Sequence, residues 1–522
     1  MNIQLLIETL RFLRPTQVIY RLKRKIHQPM MKHLAAPITH TCCKLYPTIT
    51  KPQCFVGNNQ FTFLNQTSTF RGWNMNDNGL LWTFNLNYMD WLEQQNLTAE
   101  EGQKWIDLFI ESISQNITGL SPYPTALRII NWAKFFCKHS KCLNQKRGDS
   151  MYAQTWLLCR KLEYHLLGNH LLEDAYALFI ASIFFNDTAL YRKGSRLLLE
   201  QLKEQILPDG AHYEQSPMYH CIMLDRLLDC INFSTQNNVF ADQQQLTEQL
   251  IAVAERMLGH LQAIVYQDAT IPLLNDSAEG IAPSPCELFG YAQRLGLKWN
   301  PIELNECGYR KLSNKAAQME AVIDIGNFRA TYQPGHSHAD TFSYELRWKG
   351  SPYIVDTGIS TYEKGARRQY ERSTEAHNTV SIDGQDSSHV WGGFRVGKRA
   401  RVTIEEDTPT RIAARHDGFG RHRLHQRTFS ISDSGFSIAD KVIGKASSAV
   451  SFLHVAPGIE VNTDRLADGI ITIGGLQLTV EGHNEIEIRN DSVAKEYNQL
   501  LPTTVIAIHF TTVVRYQFRF TF

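Results

Sequence analysis

The stretch PGHSHADTFSYELRWKGSPYIVDTG, residues 334–358, decides the fold. Within it Phe342, Tyr344, Leu346 and Trp348 alternate with Ser343, Glu345, Arg347 and Lys349. A period of two sends successive side chains to opposite faces of a strand. Gly350-Ser351-Pro352 turns the chain, and Tyr353-Ile354-Val355 continues as a second strand. Downstream, RARVTIEE, RIAARHD, HRLHQRTFSIS, GFSIADKVIG, SFLHVAP, GIITIGGLQLTVEG and TVIAIHFTTVVRYQFRFTF repeat this habit, with Gly, Asp and Asn turns between them. Short patterned strands in series predict a large antiparallel β-sandwich. Upstream, from about residue 80 to 310, the pattern is helical. TAEEGQKWIDLFIESISQNI, TALRIINWAKFFCKH, YAQTWLLCRKLEYHLL, HLLEDAYALFIASIFF, TALYRKGSRLLLEQLKEQI and QLTEQLIAVAERMLGHLQAIV follow one another across short turns. HLLEDAYALFIASIFF is apolar almost all round, so it should be buried on most sides. The expectation is an α+β chain of three parts: a basic, mixed segment over 1–80, a ring or bundle of antiparallel helices over 81–315, and a sandwich over 316–522. The switch falls in NECGYRKLSNKAAQ, residues 305–318.

Composition narrows the function. The chain has 522 residues, with 53 Lys plus Arg against 52 Asp plus Glu, a formal charge of +1. That balance argues against a nucleic-acid-binding surface spread over the whole protein. Ten cysteines, at 42, 43, 54, 137, 142, 159, 221, 230, 286 and 307, form no CxxC pair. Scattered thiols in a chain this large fit a reducing compartment. The start, MNIQLLIETLRFLRPTQVIYRLKRKI, is interrupted by Glu8, Arg11 and Arg14 and does not read as a secretory signal. No run is long and apolar enough to span a bilayer. A cytoplasmic setting is expected, with periplasmic or membrane-associated settings as alternatives. Arg11, Arg14, Arg21, Lys23, Arg24 and Lys25 form either a solvated basic face or one that meets a membrane or an anionic glycan. No oligomeric state follows from the sequence.

Three constellations carry chemistry. In GHSHAD, His336 and His338 are two apart, so on a strand both rings share a face; Asp356 in VDTG and His377 in EAHNTV complete two imidazoles and a carboxylate beyond His336. Such a set suits a transition metal, and separately hydrogen-bonded polar residues read equally well. A tight hairpin would pair Asp356 with Glu345, so a metal cluster needs a bend in the chain. In GNHLLED, Asn169, His170 and Glu173 share one face at the start of the apolar helix. Asn169 reads either as an N-cap or, with the free N–H groups of the helix terminus, as part of a carboxylate cradle. In DGAHYEQSPMYH, residues 209–220, a loop offers Tyr213, Glu214 and Tyr219; a tyrosine hydroxyl can serve as acid or base where its neighbours tune it.

Together GNH, DGAHYEQSPMYH, GHSHAD, VDTG and RSTEAHNTV resemble the heparinase II/III-like polysaccharide lyases, relatives of the alginate and oligoalginate lyases. RPTQVIYRLKRK, LWTFNLNYMDWL and YPTALRIINW are similar to a branch associated with bacterial surface-polysaccharide loci. The resemblance implies an incomplete (α/α) toroid followed by an antiparallel β-sandwich. It implies that Asn169 and His170 neutralise a uronate carboxylate, with Glu173 helping there, and that Tyr219 and His336 handle protons, Tyr213 being the fallback. It also implies that His338, Asp356 and His377 hold a structural divalent metal, zinc by its ligand set. Glu214, Arg128, Arg372 and His454 are further candidates for binding the glycan; guanidinium matches carboxylate or sulfate bidentately.

The implied reaction is β-elimination. Donors on the uronate carboxylate stabilise the enolate-like state formed as the C5 proton leaves. A second group protonates the oxygen departing from C4, giving a 4,5-unsaturated uronate without consuming water. The expected partner is an acidic poly- or oligosaccharide. A uronate C5-epimerase, reprotonating the same carbanion, and a non-catalytic glycan-binding factor are the alternatives.

Overall fold

The computed structural model describes residues 3–26, 28–37 and 43–520; Cys42 lies outside them. Two short helices, α1 (Ile3–Leu10) and α2 (Pro15–Ile26), come first. The segment to residue 80, which sequence pattern leaves unplaced, carries strands Phe55–Gly57, Gln60–Phe63 and Gln66–Thr69 in a small antiparallel sheet. Phe61, Phe63, Trp73, Trp82, Trp91 and Trp105 pack there as one aromatic cluster, so Trp82 and Trp91 belong to the core.

The helical half runs through α3 (Gly79–Tyr88), α4 (Ala99–Ser112), α5 (Pro122–Lys138), α6 (Gln145–Lys161), α7 (Gly168–Phe185), α8 (Thr188–Gln205), α9 (Pro217–Gln236), α10 (Gln243–Ile264) and α11 (Pro285–Arg294). Their starts follow from local chemistry. Thr98 with Glu101 and Ser284 with Glu287 form capping boxes, and Asp187 accepts the N–H groups of Ala189 and Leu190. The stretch read as a loop over 209–220 turns helical at Pro217, because Ser216 caps α9 by accepting from the Tyr219 N–H at 3.1 Å. Helix α7 packs against α5, α6, α8 and α9, making it the hub of an incomplete toroid. All its residues are buried except His170.

The second half is antiparallel sheet. An eight-stranded sheet runs in the order 402–407, 411–416, 424–432, 435–443, 513–520, 476–481, 470–473, 461–462. A four-stranded sheet runs 485–493, 501–510, 449–454, 380–382, and another runs 309–314, 319–324, 344–348, 351–354. Apolar side chains such as Phe429, Ile438, Leu453, Ile508 and Phe518 fill one core between them. Strand Tyr344–Trp348 differs from the half-buried strand that its alternation suggests: every residue is buried. Its polar face meets the helical half, where Glu345 accepts the Tyr266 hydroxyl at 2.9 Å and Arg347 pairs with Asp268. Polar residues on that face thus mark an interface between the halves. The cysteines among the described residues are free.

Candidate active site at the junction of the two halves

Asn169, His170 and Glu173 from the first turns of α7, Tyr219 from the first turn of α9, and His336 from the sheet half line a single cavity of about 620 Å³. Tyr88, Tyr123, Arg226, Tyr362 and Tyr497 share its wall. His336 and His338 do not lie on a strand; His336 sits in a turn and His338 in irregular backbone ahead of Tyr344. That frees them to bend toward the helices.

At the start of α7 the backbone is left-handed at both Leu167 (φ 64°) and Gly168 (φ 62°), so no side chain caps the helix. Instead Glu214 reaches in. Its two oxygens accept the Asn169 backbone N–H at 2.9 Å and the Asn169 amide at 2.8 Å. The same amide nitrogen lies 3.3 Å from His336 Nε2. The expected N-cap and the expected cradle of terminal N–H groups both give way to an internal carboxylate, and Glu214 positions Asn169 rather than facing the cavity.

His336 is held from behind. Its Nδ1 donates to Asp276 Oδ2 at 2.9 Å, leaving Nε2 as the acceptor that faces Asn169. Asp276 also takes His338 Nε2 at 2.7 Å and both terminal nitrogens of Arg368, at 2.6 and 2.7 Å. Burial opposes its charge, yet Arg368 and the two imidazoles hold it well below the usual carboxylate range. The Tyr219 ring stacks on His336 with centroids 3.9 Å apart, and its hydroxyl lies 3.3 Å from that of Tyr362. Burial pushes the Tyr219 phenol above its ordinary value, so it rests protonated.

Across the cavity, burial disfavours a charged His170, but Glu163, at 2.9 Å from His170 Nδ1, outweighs it and raises the imidazole above its ordinary value. Glu173 is pushed up to about 7, first by burial, with Arg226 pulling the other way from 3.8 Å. Neither Glu173 oxygen has a hydrogen-bond partner among the described residues. The arrangement offers an amide, an imidazole biased toward its charged form and a carboxyl that titrates near neutrality on one side, and a phenol with an oriented imidazole on the other. Such a set can grip an organic anion and move a proton beside it.

Residues 149–284 match the model of the heparinase II/III N-terminus, and residues 297–521 match that of the heparinase II/III-like C-terminal domain. The chain belongs to the heparinase II/III-like family. It is 23% identical over 374 residues to a heparin-sulfate lyase of Bacteroides thetaiotaomicron, covering 62% of this chain and 51% of the relative. A heparin-sulfate lyase of Pedobacter heparinus is 23% identical over 325 residues, covering 57% and 47%. The chain spans about half the length of the curated relatives it matches. The crystal structure of heparinase III shares the fold with a TM-score of 0.71 at 15% identity, over 97% of this chain and 89% of that one. A heparan sulfate lyase structure from Pedobacter heparinus gives 0.57 at 16% identity, over 97% and 88%.

Several residues singled out by sequence lie away from the cavity of this heparinase II/III-like chain. Tyr213 is buried with its hydroxyl on that of Tyr332 at 2.8 Å, so it is no substitute for Tyr219. Arg128 is fully buried, bonded to Gln154 and to backbone carbonyls of Asn87 and Pro124, and burial lowers it to about 9. Arg372 is likewise buried, donating to the Ser337 carbonyl at 2.8 Å and so shaping the loop that bears His336. His454 sits inside the sandwich against Asn378, out of the cavity. None of these four faces a glycan in the cavity.

The expected metal set is buried beside the cavity. Asp356 bonds His377 Nδ1 at 2.8 Å, while His338 turns its Nε2 to Asp276. His338 Nδ1, His377 Nε2, His454 Nε2 and Asp340 Oδ2 are buried without partners among the described residues. Orphaned imidazole and carboxylate atoms in one region fit a cation by donor chemistry. Three ligand atoms gather within 4.8 Å of one another only in a different group among the described residues, Asp209, His260 and Cys307, which could hold a metal ion. There Asp209 already accepts the N–H groups of Cys307 and Asn305, at 2.8 and 3.1 Å.

Sequence reasoning missed Asp276, Glu163, Tyr362 and Tyr497. Asp276 lies in a polar loop, PLLNDSAEG, with no periodicity to flag it; its partners are 60 or more residues away. Arg368, whose residue type suits either a glycan carboxylate or sulfate or a surface salt bridge, is instead buried against Asp276. Glu163 stands seven residues before His170, a helical spacing broken by the turn at residues 162–167.

Proposed function

We propose that the protein is a polysaccharide lyase cleaving a uronate-containing glycan by β-elimination. The convergence of Asn169, His170, Tyr219 and His336 around one cavity carries this reading, and it agrees with the family. In it, the Asn169 amide, the charged His170 and protonated Glu173 engage the uronate carboxylate. His336, oriented by Asp276 through Nδ1, takes the C5 proton at Nε2. Tyr219, protonated at rest, gives its proton to the oxygen leaving C4. Its C5–H and C4–O bonds break while a C4–C5 double bond forms, so no water enters.

The relatives named above are heparin-sulfate lyases. The corresponding substrate class here is a glycosaminoglycan-like acidic polysaccharide. His338, Asp356 and His377 would hold a structural divalent ion, zinc by ligand type. Bound there, it would offset the buried carboxylates Asp356 and Asp340 and stiffen the loop carrying His336.

The test is a panel of acidic glycans followed by ultraviolet absorbance of the conjugated product and mass spectrometry. Wild type should give unsaturated uronate ends, and Tyr219→Phe should give none. Products lacking the double bond, or turnover surviving in Tyr219→Phe, would overturn the assignment. Metal content measured on wild type and Asp356→Ala tests the ion separately.

A further inference from the structure

Helices α1 and α2 are built inside out. An amphipathic helix on a globular protein ordinarily turns its apolar stripe to the core and its charges to water. Here the only buried residue in either helix is Gln17, whose amide donates to the Leu166 carbonyl at 3.1 Å. The polar side faces the body of the protein. Arg21 donates to the His165 carbonyl, Arg24 contacts the His165 ring, and Tyr20 packs on Tyr164 with centroids 4.8 Å apart. In α1, Glu8 bonds His389 and the Lys398 N–H, at 2.8 and 2.9 Å, and Thr9 accepts from Trp391 at 3.1 Å.

The apolar side faces outward. Ile3, Ile7 and Leu10 in α1, and Val18, Ile19, Leu22 and Ile26 in α2, are 45–87% exposed. At 3.6 residues per turn the four α2 side chains fall within an arc of about 100°. Lys25 lies about 20° beyond one edge of that arc and Lys23 about 40° beyond the other. Helix α2 has no acidic residue, and the Glu8 of α1 is turned inward. An apolar stripe flanked by lysines matches the boundary between headgroups and acyl chains of an anionic bilayer. No helix among the described residues is long and apolar enough to cross a membrane, so the contact would be parallel to its plane.

We infer that α1 and α2 dock the protein on an anionic lipid surface, with Val18, Ile19, Leu22 and Ile26 inserted and Lys23 and Lys25 at the phosphates. A second copy of the chain would need acidic groups to meet those lysines, and the outward arcs supply none. The test is flotation of the purified protein with vesicles of phosphatidylcholine alone or mixed with phosphatidylglycerol. Wild type should rise with the mixed vesicles and less with the neutral ones. Ile19→Glu combined with Leu22→Glu should stay behind while melting at the wild-type temperature. Lys23→Gln with Lys25→Gln should weaken partitioning by about twenty-five-fold, at roughly fivefold per basic residue beside an anionic leaflet. Failure of wild type to float on anionic vesicles overturns the inference. So does a wild-type dimer in sedimentation that the Ile19→Glu, Leu22→Glu variant converts to monomer, because that face would then join two copies.

Discussion

Asn169 shows how much one side chain is asked to do. Its amide hydrogens are shared between Glu214 and His336, so a uronate must draw one of them away to be gripped. Asn169→Ala should lower kcat by about 10²–10³, the loss typical of removing one donor from a developing oxyanion. Rates of unsaturated-product formation check this. Glu173, pushed up to about 7 from an ordinary 4.5, predicts a pH dependence. Protonated, it donates to the substrate carboxylate; ionised, it repels it. Activity should therefore fall as pH rises through about 7, and Glu173→Gln, which keeps a donor but no titration, should flatten that limb of the kcat/KM profile. The residue types were legible in the sequence: GNHLLED and GHSHAD supplied Asn169, His170, Glu173 and His336. The supporting contacts were not. Asp276 and Glu163 acquire meaning only through partners that the fold brings to them, and Glu214 was read as a substrate contact because nothing local shows which way it faces.

At the scale of the element, α7 and its entry turn set the site. Gly168 combines a positive φ with a close approach: a Cβ there would stand 2.4 Å from Glu214 Oε1. Gly168→Ala should destabilise the protein by about 1–2 kcal/mol from the left-handed backbone, and by more from the clash. It should also dislodge Asn169. Chemical denaturation and turnover, measured together, check both effects. The apolar run of α7 and the period-two strands were readable because burial on all sides, or on alternate sides, leaves a repeating mark in sequence. The loop over 334–343 left none. Its histidines were expected on a strand, but a turn and irregular backbone hold them, and the loop's geometry depends on Arg372 and Asp276 from elsewhere. Strand Glu485–Val493 escaped notice for the opposite reason, since its edge position lets it carry Glu, Arg, Asn and Asp.

Among the described residues two large cores, one helical and one of sheet, meet across buried polar groups and a small apolar cluster of Met218, Ala278, Ile359 and Tyr497. Glu345, pressed against Tyr266, is pushed up to about 7, chiefly by burial. A carboxyl raised on folding adds stability that is full below its unfolded value of about 4.5 and is lost as pH rises through about 7. Stability should therefore decline between pH 5 and pH 8, and Glu345→Gln should lessen that decline in denaturant titrations. The order of helices and strands was legible across this scale, because each half has its own period. The seam was not, because a buried polar strand face looks the same in sequence as a wet one.

Asp276 sits at that seam, contributed by the helical half and gripped by His336, His338 and Arg368 of the other. Separating the halves would strand a guanidinium and two imidazoles at once, so the joint behaves as a keystone rather than a hinge. Heating should accordingly melt both cores in a single calorimetric peak. Asp276→Asn should split that peak in two, uncoupling the ring from the sandwich even where each remains folded.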